Sequence, residues 1–279
     1  MYTLKGLSDD QSWSLFEQMA FGKGQVNPKL VEIGKEILEK CHGVPLAIKS
    51  IGSLLCLEKT EEKWSYVKDR ELTNVLGQGD DIFPILKLSY DHLPSHLKIC
   101  FAYYSLLPKD YEMEKERLIQ LWIAQRFIPS SNNDQQEEVA NEYFKDLLWR
   151  SFFEEVNEYG VVKFKMHDLI HDLVELAARE ECKLIDFDGK NVSEKFRHVS
   201  CPFYIGPYFH ETLSLLLKAK KIRTFLQTSD KYMCGSLDES MLKTFIFSFK
   251  SLRELDLHGL MITKVPRILY WEVNTSQVP

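Results

Sequence analysis

Val161–Ala178 reads VVKFKMHDLIHDLVELAA, and the two halves of this stretch follow different periods. Val162, Phe164 and Met166 alternate with Lys163 and Lys165, the pattern of a half-buried strand. Leu169, Ile170, Leu173, Val174, Leu176 and Ala177 then recur at helical spacing. His167 and Asp168 stand where strand turns into helix, in the first helical turn. There the backbone N–H groups lack partners and the helix dipole favours negative charge. Such a start beside an imidazole is suited to holding a phosphate. The plainer reading is an acidic helix start with an exposed histidine, and local pattern alone favours it.

Upstream, Phe152–Val156 and Val161–Met166 flank Asn157-Glu158-Tyr159-Gly160, a hairpin signal. Before the hairpin, Asp134 with Glu137 opens a helix in which Val139, Ala140, Tyr143, Phe144, Leu147 and Leu148 keep helical register. Glu116–Phe127 is apolar over a wide arc, as a buried helix is. Leu97, Cys100, Phe101 and Tyr104 follow the i, i+3, i+4, i+7 pattern, and Leu106-Leu107-Pro108-Lys109-Asp110 reads as a turn. Three helices, a hairpin and one further helix make a winged-helix arrangement, with Phe101, Trp122, Phe127 and Trp149 expected in its core.

Nearer the N-terminus, Ser8-Asp9-Asp10-Gln11 is a capping box ahead of an amphipathic helix carrying Trp13, Phe16, Met19 and Ala20. A second helix begins near Pro28, with Leu30, Ile33, Ile37, Leu38 and Cys41 facing inward, and stops at His42-Gly43. Pro45 restarts the chain as a first-turn proline ahead of a mostly buried helix, and Trp64 and Val67 fall on a fourth. Leu76-Gly77-Gln78-Gly79 marks a linker. Beyond about residue 195, Leu252-x-x-Leu255-x-Leu257-x-x-Leu260-x-Ile262-x-x-Val265-Pro266 fits leucine-rich repeat spacing. Ile222-x-x-Phe225-Leu226 is a poorer copy upstream, and one clear unit falls short of the three or so that such repeats need. The expected fold is therefore mainly α: a small helical bundle, a winged-helix domain with a β-hairpin, then the start of a leucine-rich repeat solenoid.

With 279 residues, 44% hydrophobic and 27% charged, the chain has room for two or three small globular domains. Its formal charge of −6 and lack of a lysine- or arginine-rich cluster argue against a nucleic-acid surface. Cysteines 41, 56, 100, 182, 201 and 234 form no CxxC pair, which suits reduced thiols in a cytoplasmic protein. No apolar run approaches the roughly 18 residues of a membrane span, and the N-terminus has no signal-peptide pattern. The sequons Asn191-Val192-Ser193 and Asn274-Thr275-Ser276 are discounted for want of a secretory signal.

Five motifs in order resemble one family, the plant disease-resistance proteins of the coiled-coil class, with an NB-ARC nucleotide-binding module and leucine-rich repeats. Leu7-Ser8-Asp9-Asp10 through Ala20-Phe21 is similar to the helix closing that family's nucleotide-binding domain. Cys41-His42-Gly43-Val44-Pro45-Leu46-Ala47 is similar to its GLPLA motif, with Val44 in place of leucine. Leu88-Ser89-Tyr90-Asp91-His92-Leu93-Pro94 and Cys100–Pro108 match the opening of its winged-helix region, which Leu118–Ala124 continues. Met166-His167-Asp168 matches its MHD switch motif letter for letter. The resemblance implies four divisions: 1–24 closing the nucleotide-binding domain, 25–76 the helical bundle, 77–192 the winged helix, and 193–279 the first repeats.

In that family ADP holds the domains closed, and exchange for ATP lets them rearrange. The resemblance implies that Gly43, Pro45 and Leu46 line the adenine side of an ADP pocket while His167 reaches the β-phosphate, and that Asp168 orients or caps the turn. A first-turn proline supplies a rigid apolar edge for a flat base, and an imidazole N–H can donate to a phosphate oxygen. No G-x-x-x-x-G-K-[ST] loop and no strand ending in paired acids for Mg²⁺ are present, so no hydrolysis is expected. The chain reads as a truncated piece holding half of a nucleotide site, non-enzymatic, with weak or no ADP binding unaided. Its implied partners are the missing nucleotide-binding segment and repeats, and a pathogen effector or guarded host protein sensed by the full-length receptor.

Rival readings are weaker. A winged-helix DNA binder would present Glu137–Trp149, whose Glu137, Glu138, Glu142 and Asp146 oppose phosphates. A metallohydrolase would use His167 and His171 at i, i+4, but Asp168 replaces the general-base Glu and no third ligand is evident, so no metal is expected and His171 is taken to face solvent or a neighbouring domain. A nucleotide-independent module docking onto full-length relatives stands as the alternative from the binding class.

Overall fold

The computed structural model describes residues 5–22, 27–75, 81–129, 133–158, 161–178, 180–185, 193–201, 214–228, 236–237, 239–257, 261–262 and 264. The expected linker at 76–79, the tip of the hairpin at Tyr159-Gly160, Leu260, Val265-Pro266 and the expected boundaries near 24, 76 and 192 lie outside them. Internal packing separates two units. One comprises Met1–Ile99, Glu112–Ile119 and Asn132–Leu173, the other Cys100–Tyr111, Gln120–Ser131 and Val174–Pro279.

In the first unit the sequence signals become helices directly. The capping box at Ser8 forms: the Gln11 N–H donates to Ser8 Oγ (3.4 Å) and the Ser8 N–H donates to Gln11 Oε1 (3.1 Å), opening α1 (Asp9–Ala20). Asn27 caps α2 (Pro28–Glu39), with Pro28 in the first turn, and α3 (Pro45–Cys56) follows with its own first-turn proline. α4 (Glu61–Tyr66), a π-helical turn at Val67–Glu71 and the short α5 (Leu72–Val75) come next. A π turn releases carbonyls from the usual ladder, and here Lys68 O is taken by Lys40 Nζ (3.0 Å) and the Thr73 hydroxyl (3.2 Å). Trp64 is fully buried against Phe16 and Phe21, and its indole N–H donates to Leu55 O (3.2 Å) and Glu58 O (3.1 Å). Glycine permits the close packing: a Cβ on Gly34 would lie 2.9 Å from Phe16 Cε1, and one on Gly52 2.8 Å from Met19 Cβ.

α6 (Phe83–Asp91), α7 (Ser95–Tyr103), a 3₁₀ turn at Tyr104–Leu106, β1 (Met113–Glu114), α8 (Lys115–Ala124) and α9 (Asn133–Trp149) lead to the hairpin. β2 (Glu154–Glu158) and β3 (Val161–Lys165) pair antiparallel, with Glu155 opposite Phe164 and Glu154 opposite Lys165. β1 adds a third antiparallel strand on the other side of β3, Met113 facing Phe164, which the sequence reading did not anticipate. Phe144, Phe153 and Phe164 pack as an aromatic cluster beneath this sheet, with centroids 4.9–5.5 Å apart. α10 (Asp168–Ala178) leaves the end of β3. Of the four aromatics expected in the core, Phe101 and Trp122 are fully buried and Phe127 is half-buried. Trp149 is not in the core: it is 45% exposed, because the last turn of α9 presents it to solvent while Leu147 faces inward.

The second unit is built on a parallel sheet whose strands follow in chain order: β4 (Cys182–Leu184), β5 (His198–Cys201), β6 (Thr224–Gln227) and β8 (Glu254–Asp256). β7 (Ser236–Leu237) and β9 (Met261–Ile262) pair separately, and α11 (Glu239–Ser248) lies between β7 and β8 in the chain. Leu255 stands opposite Phe225, and Phe225 opposite Val199. The two stretches read in the sequence therefore stand in register on neighbouring parallel strands, and Phe196-x-x-Val199-x-Cys201 stands in register beside them, which leucine spacing alone did not reveal. Phe196, Val199, Cys201, Ile222, Phe225, Phe245 and Phe249 are buried together, with Leu252, Leu255 and Leu257 packed against them.

The opposite face of this sheet carries polar groups. His198 Nδ1 and Thr224 Oγ1 lie 2.9 Å apart, and Tyr103 Oη is 3.0 Å from the same hydroxyl. The Ser200 hydroxyl donates to Leu106 O, and Arg253 Nη1 donates to Gln125 O (2.6 Å). Burial, with Arg223 and Arg253 beside the neighbouring strands and Arg197 next in the chain adding repulsion, holds the His198 imidazole down at about 3 from its ordinary 6.5. The five described cysteines are free, and burial pushes the thiols of Cys41, Cys100, Cys182 and Cys201 up to about 12. No helix among the described residues is long and apolar enough to cross a membrane.

Candidate functional site

Two helix starts make the site. The first is that of α3. His42 and Gly43 turn the chain with positive φ (50° and 69°), and Val44 then stands as N-cap without a side-chain cap bond. The Leu7 N–H donates to Gly43 O (2.8 Å), and a Cβ on Gly43 would meet Leu7 O at 2.6 Å. Glycine is therefore demanded twice at position 43, by conformation and by space. Pro45 is exposed, and Leu46 is buried.

The second is that of α10. Met166 is buried beneath it, and Phe164 anchors the strand before it. His167, expected in the first turn, is the residue just before it. Its carbonyl accepts the His171 N–H (2.9 Å), and its Nδ1 accepts the Leu169 N–H (3.2 Å). The imidazole thus supplies a capping bond, because Nδ1 of the residue before the helix reaches the otherwise unpaired N–H of its second residue. With Nδ1 accepting, the neutral ring carries its proton on Nε2. Asp168 is exposed in the first turn, where a carboxylate suits the dipole. His171 is not solvent-facing: it is only 2% exposed, on the inner face of α10 with Ile170 and Val174. His167 and His171 thus differ in exposure, and no group of three or more His, Cys, Asp or Glu among the described residues is arranged to hold a metal.

Both starts open on one cleft of about 650 Å³, within the range of small-molecule sites. Val44, Pro45 and Leu46 line it from α3, and His167 from the start of α10. Leu148, Ser151 and Phe153 complete the wall, and Lys49, Glu154 and Glu155 supply its charge. Gly43, Met166 and Asp168 are not among the lining residues; Gly43 shapes the turn before α3, and Met166 roots the turn before α10. Of the residues that sequence reasoning missed, Lys49 carries a detectable signal, one helical turn beyond Pro45. Ser151, Glu154 and Glu155 are brought in by the end of α9 and by the hairpin register, which a motif does not report.

A family model for the disease resistance protein winged helix domain matches residues 106–174. The disease resistance protein RGA2 of Solanum bulbocastanum is 49% identical over 174 residues, covering 62% of this chain and 18% of that protein. The disease resistance protein RPM1 of Arabidopsis thaliana is 32% identical over 286 residues, covering 96% of this chain and 29% of that protein. The disease resistance RPP13-like protein 4 of the same plant is 36% identical over 261 residues, covering 90% and 29%. The aligned region spans less than a third of each of these relatives. With its winged helix matched and its relatives spread along nearly its whole length, the chain belongs to the plant NLR disease-resistance proteins.

Proposed function

We propose that the chain is part of an intracellular, cytoplasmic immune receptor and contributes the ADP-sensing half of a nucleotide-dependent switch. The observation that carries this reading is that Pro45, Leu46 and His167, distant in sequence, line a single cleft. In this reading the apolar edge of Val44, Pro45 and Leu46 takes the adenine. The Nε2–H of His167, oriented because Nδ1 is held by the Leu169 N–H, donates to a phosphate oxygen. The size of the cleft and this donor set fit a nucleotide. Bound ADP supplies a polyanion that ties the α10 start to the α3 start, and its exchange for ATP releases that tie. The parallel rungs of the second unit, with Ile222-x-x-Phe225 in register with Leu252-x-x-Leu255, support the reading of residues from about 193 as the first leucine-rich repeats. The four divisions at 24, 76 and 192, and an effector or guarded host protein as the sensed partner, belong to the same proposal.

The test is titration of ADP into the chain, followed by ligand-observed saturation-transfer NMR, with His167→Ala alongside. Most charge-assisted phosphate contacts of the family come from a loop this sequence does not carry, so millimolar affinity is expected, near −4 kcal/mol. The signal should weaken in His167→Ala. Binding that the substitution leaves unchanged overturns the reading.

A further inference from the structure

Glu71 is the last residue of the π-helical turn, where the Leu72 N–H reaches back five residues to Val67 O. Such a turn accommodates one residue more than a regular one, so the helix beyond it is rotated by about 100° relative to the helix before. Turns of this kind are frequent at functional positions. The side chain placed here is Glu71, whose carboxylate lies 3.0 and 3.1 Å from His92 Nε2. His92 is the C-cap of α6, and its Nε2–H is the donor, because an ionised carboxylate only accepts. The Glu71 side chain is 18% exposed and that of His92 26%, unlike the exposed pairs Lys29–Glu61 and Lys87–Asp91. A bond so withdrawn from water is worth more than a surface ion pair, and breaking it leaves a poorly hydrated carboxylate.

This bond joins the same two parts of the chain as the cleft does. Val44, Pro45, Leu46, Lys49 and Glu71 precede the division near residue 76, while His92 and the remaining lining residues follow it. Neither Glu71 nor His92 lines the cleft. Across the division α3 and α5 pack against α6. Apolar packing attracts without direction, whereas a hydrogen bond has a narrow range of length and angle. We propose that Glu71–His92 is a clasp, a polar tie outside the cleft that holds its two walls together, so that the cleft opens only when this bond breaks. The proposal rests on the division near residue 76 given under the proposed function, and no nucleotide enters it. A ligand that grips both walls is favoured by the clasp and favours it in return, which makes the clasp a restraint that a switch must give up to open.

Hydrogen exchange on the whole chain, without ligand, tests this. His92→Phe keeps a ring and removes the donor; Glu71→Met keeps the length and removes the acceptors; His92→Gln keeps a donor near the place of Nε2. In the first two variants, amides on both walls should exchange roughly three- to tenfold faster, the worth of one net hydrogen bond. The amides to follow are Ile48, bonded to Val44 O, and His171, bonded to His167 O. In His92→Gln both should exchange as in wild type. The Phe21 amide, bonded to Glu17 O at the end of α1, should be unchanged in all three, which separates opening of the cleft from a general loss of stability. The proposal is overturned if exchange quickens only around Leu72 and His92, if it quickens nowhere, if Phe21 quickens as much as the walls, or if His92→Gln behaves as His92→Phe does. Its failure leaves the nucleotide reading standing, and failure of the ADP titration leaves the clasp standing.

Discussion

His167 Nδ1 accepts the backbone N–H of Leu169 at 3.2 Å, so this histidine is the cap of the helix it precedes. Removing the ring should therefore cost stability independently of any ligand. His167→Ala is expected to lower the unfolding free energy by about 0.5–2 kcal/mol, whereas His167→Asn, whose amide oxygen caps as well, should stay near wild type. Urea denaturation of the three proteins decides this, and equal midpoints for Ala and wild type would sink it.

Gly43 makes a sharper case. With φ 69° and only 2.6 Å available between an added Cβ and Leu7 O, Gly43→Ala must strain the turn or push away the segment before α1. A loss of roughly 1–3 kcal/mol is expected, and hydrogen exchange at the Leu7 amide, which donates to Gly43 O, should quicken. Unchanged protection at Leu7 would show that the turn adapts without disturbing its partner.

His198 gives the chain an acid sensitivity of known sign. Its folded value, about 3, lies below the ordinary 6.5, so between these limits the unfolded chain binds a proton that the folded chain does not. The stabilisation is present above pH 6.5 and is lost as pH falls toward 3, with a slope of at most about 1.4 kcal/mol per pH unit. From pH 6.5 to 5, before most carboxylates titrate, stability should fall in wild type and stay flatter in His198→Gln. Parallel profiles would assign the acid sensitivity to other groups.

Thr224 bridges Tyr103 and His198 through one buried hydroxyl. Thr224→Val keeps the shape but leaves a buried imidazole nitrogen without that partner, which should cost about 1–3 kcal/mol. Tyr103→Phe should cost less. In the double variant the two effects should not add, because both act on the same hydroxyl. Additive midpoints in a double-mutant cycle would mean that the three groups are not coupled.

Much of the first unit was legible because its signals are local. A capping box at Ser8, prolines at 28 and 45, and alternation ending at Met166 each specify an element without help from distant residues. Pro45 and His167 were legible only through motif resemblance, since nothing in their own neighbourhoods reports a shared cleft. The three-stranded character of the hairpin sheet was hidden because Met113–Glu114 is too short to show a period. The parallel rungs were hidden for a different reason: Phe196, Val199, Cys201, Ile222 and Phe225 fill the positions where leucine is sought, and strands covered on both faces do not alternate. Trp149 was misplaced, and of the two settings expected for His171 solvent does not hold, because helical spacing identifies a buried stripe but not its edges. One turn of drift exchanges inside for outside at a helix end.

The order of the parallel strands also bears on how the protein is made. β5, β6 and β8 each pair with the strand preceding them in this sheet, so none of the three must wait for a distant partner to emerge from the ribosome. Each new rung extends an edge that its predecessor has just laid down, and the interval during which that edge stands bare lasts only as long as one connecting segment takes to synthesise. Synthesis and sheet growth thus run in the same direction, and a pause in translation between rungs would leave a shorter but correctly paired sheet rather than a misregistered one.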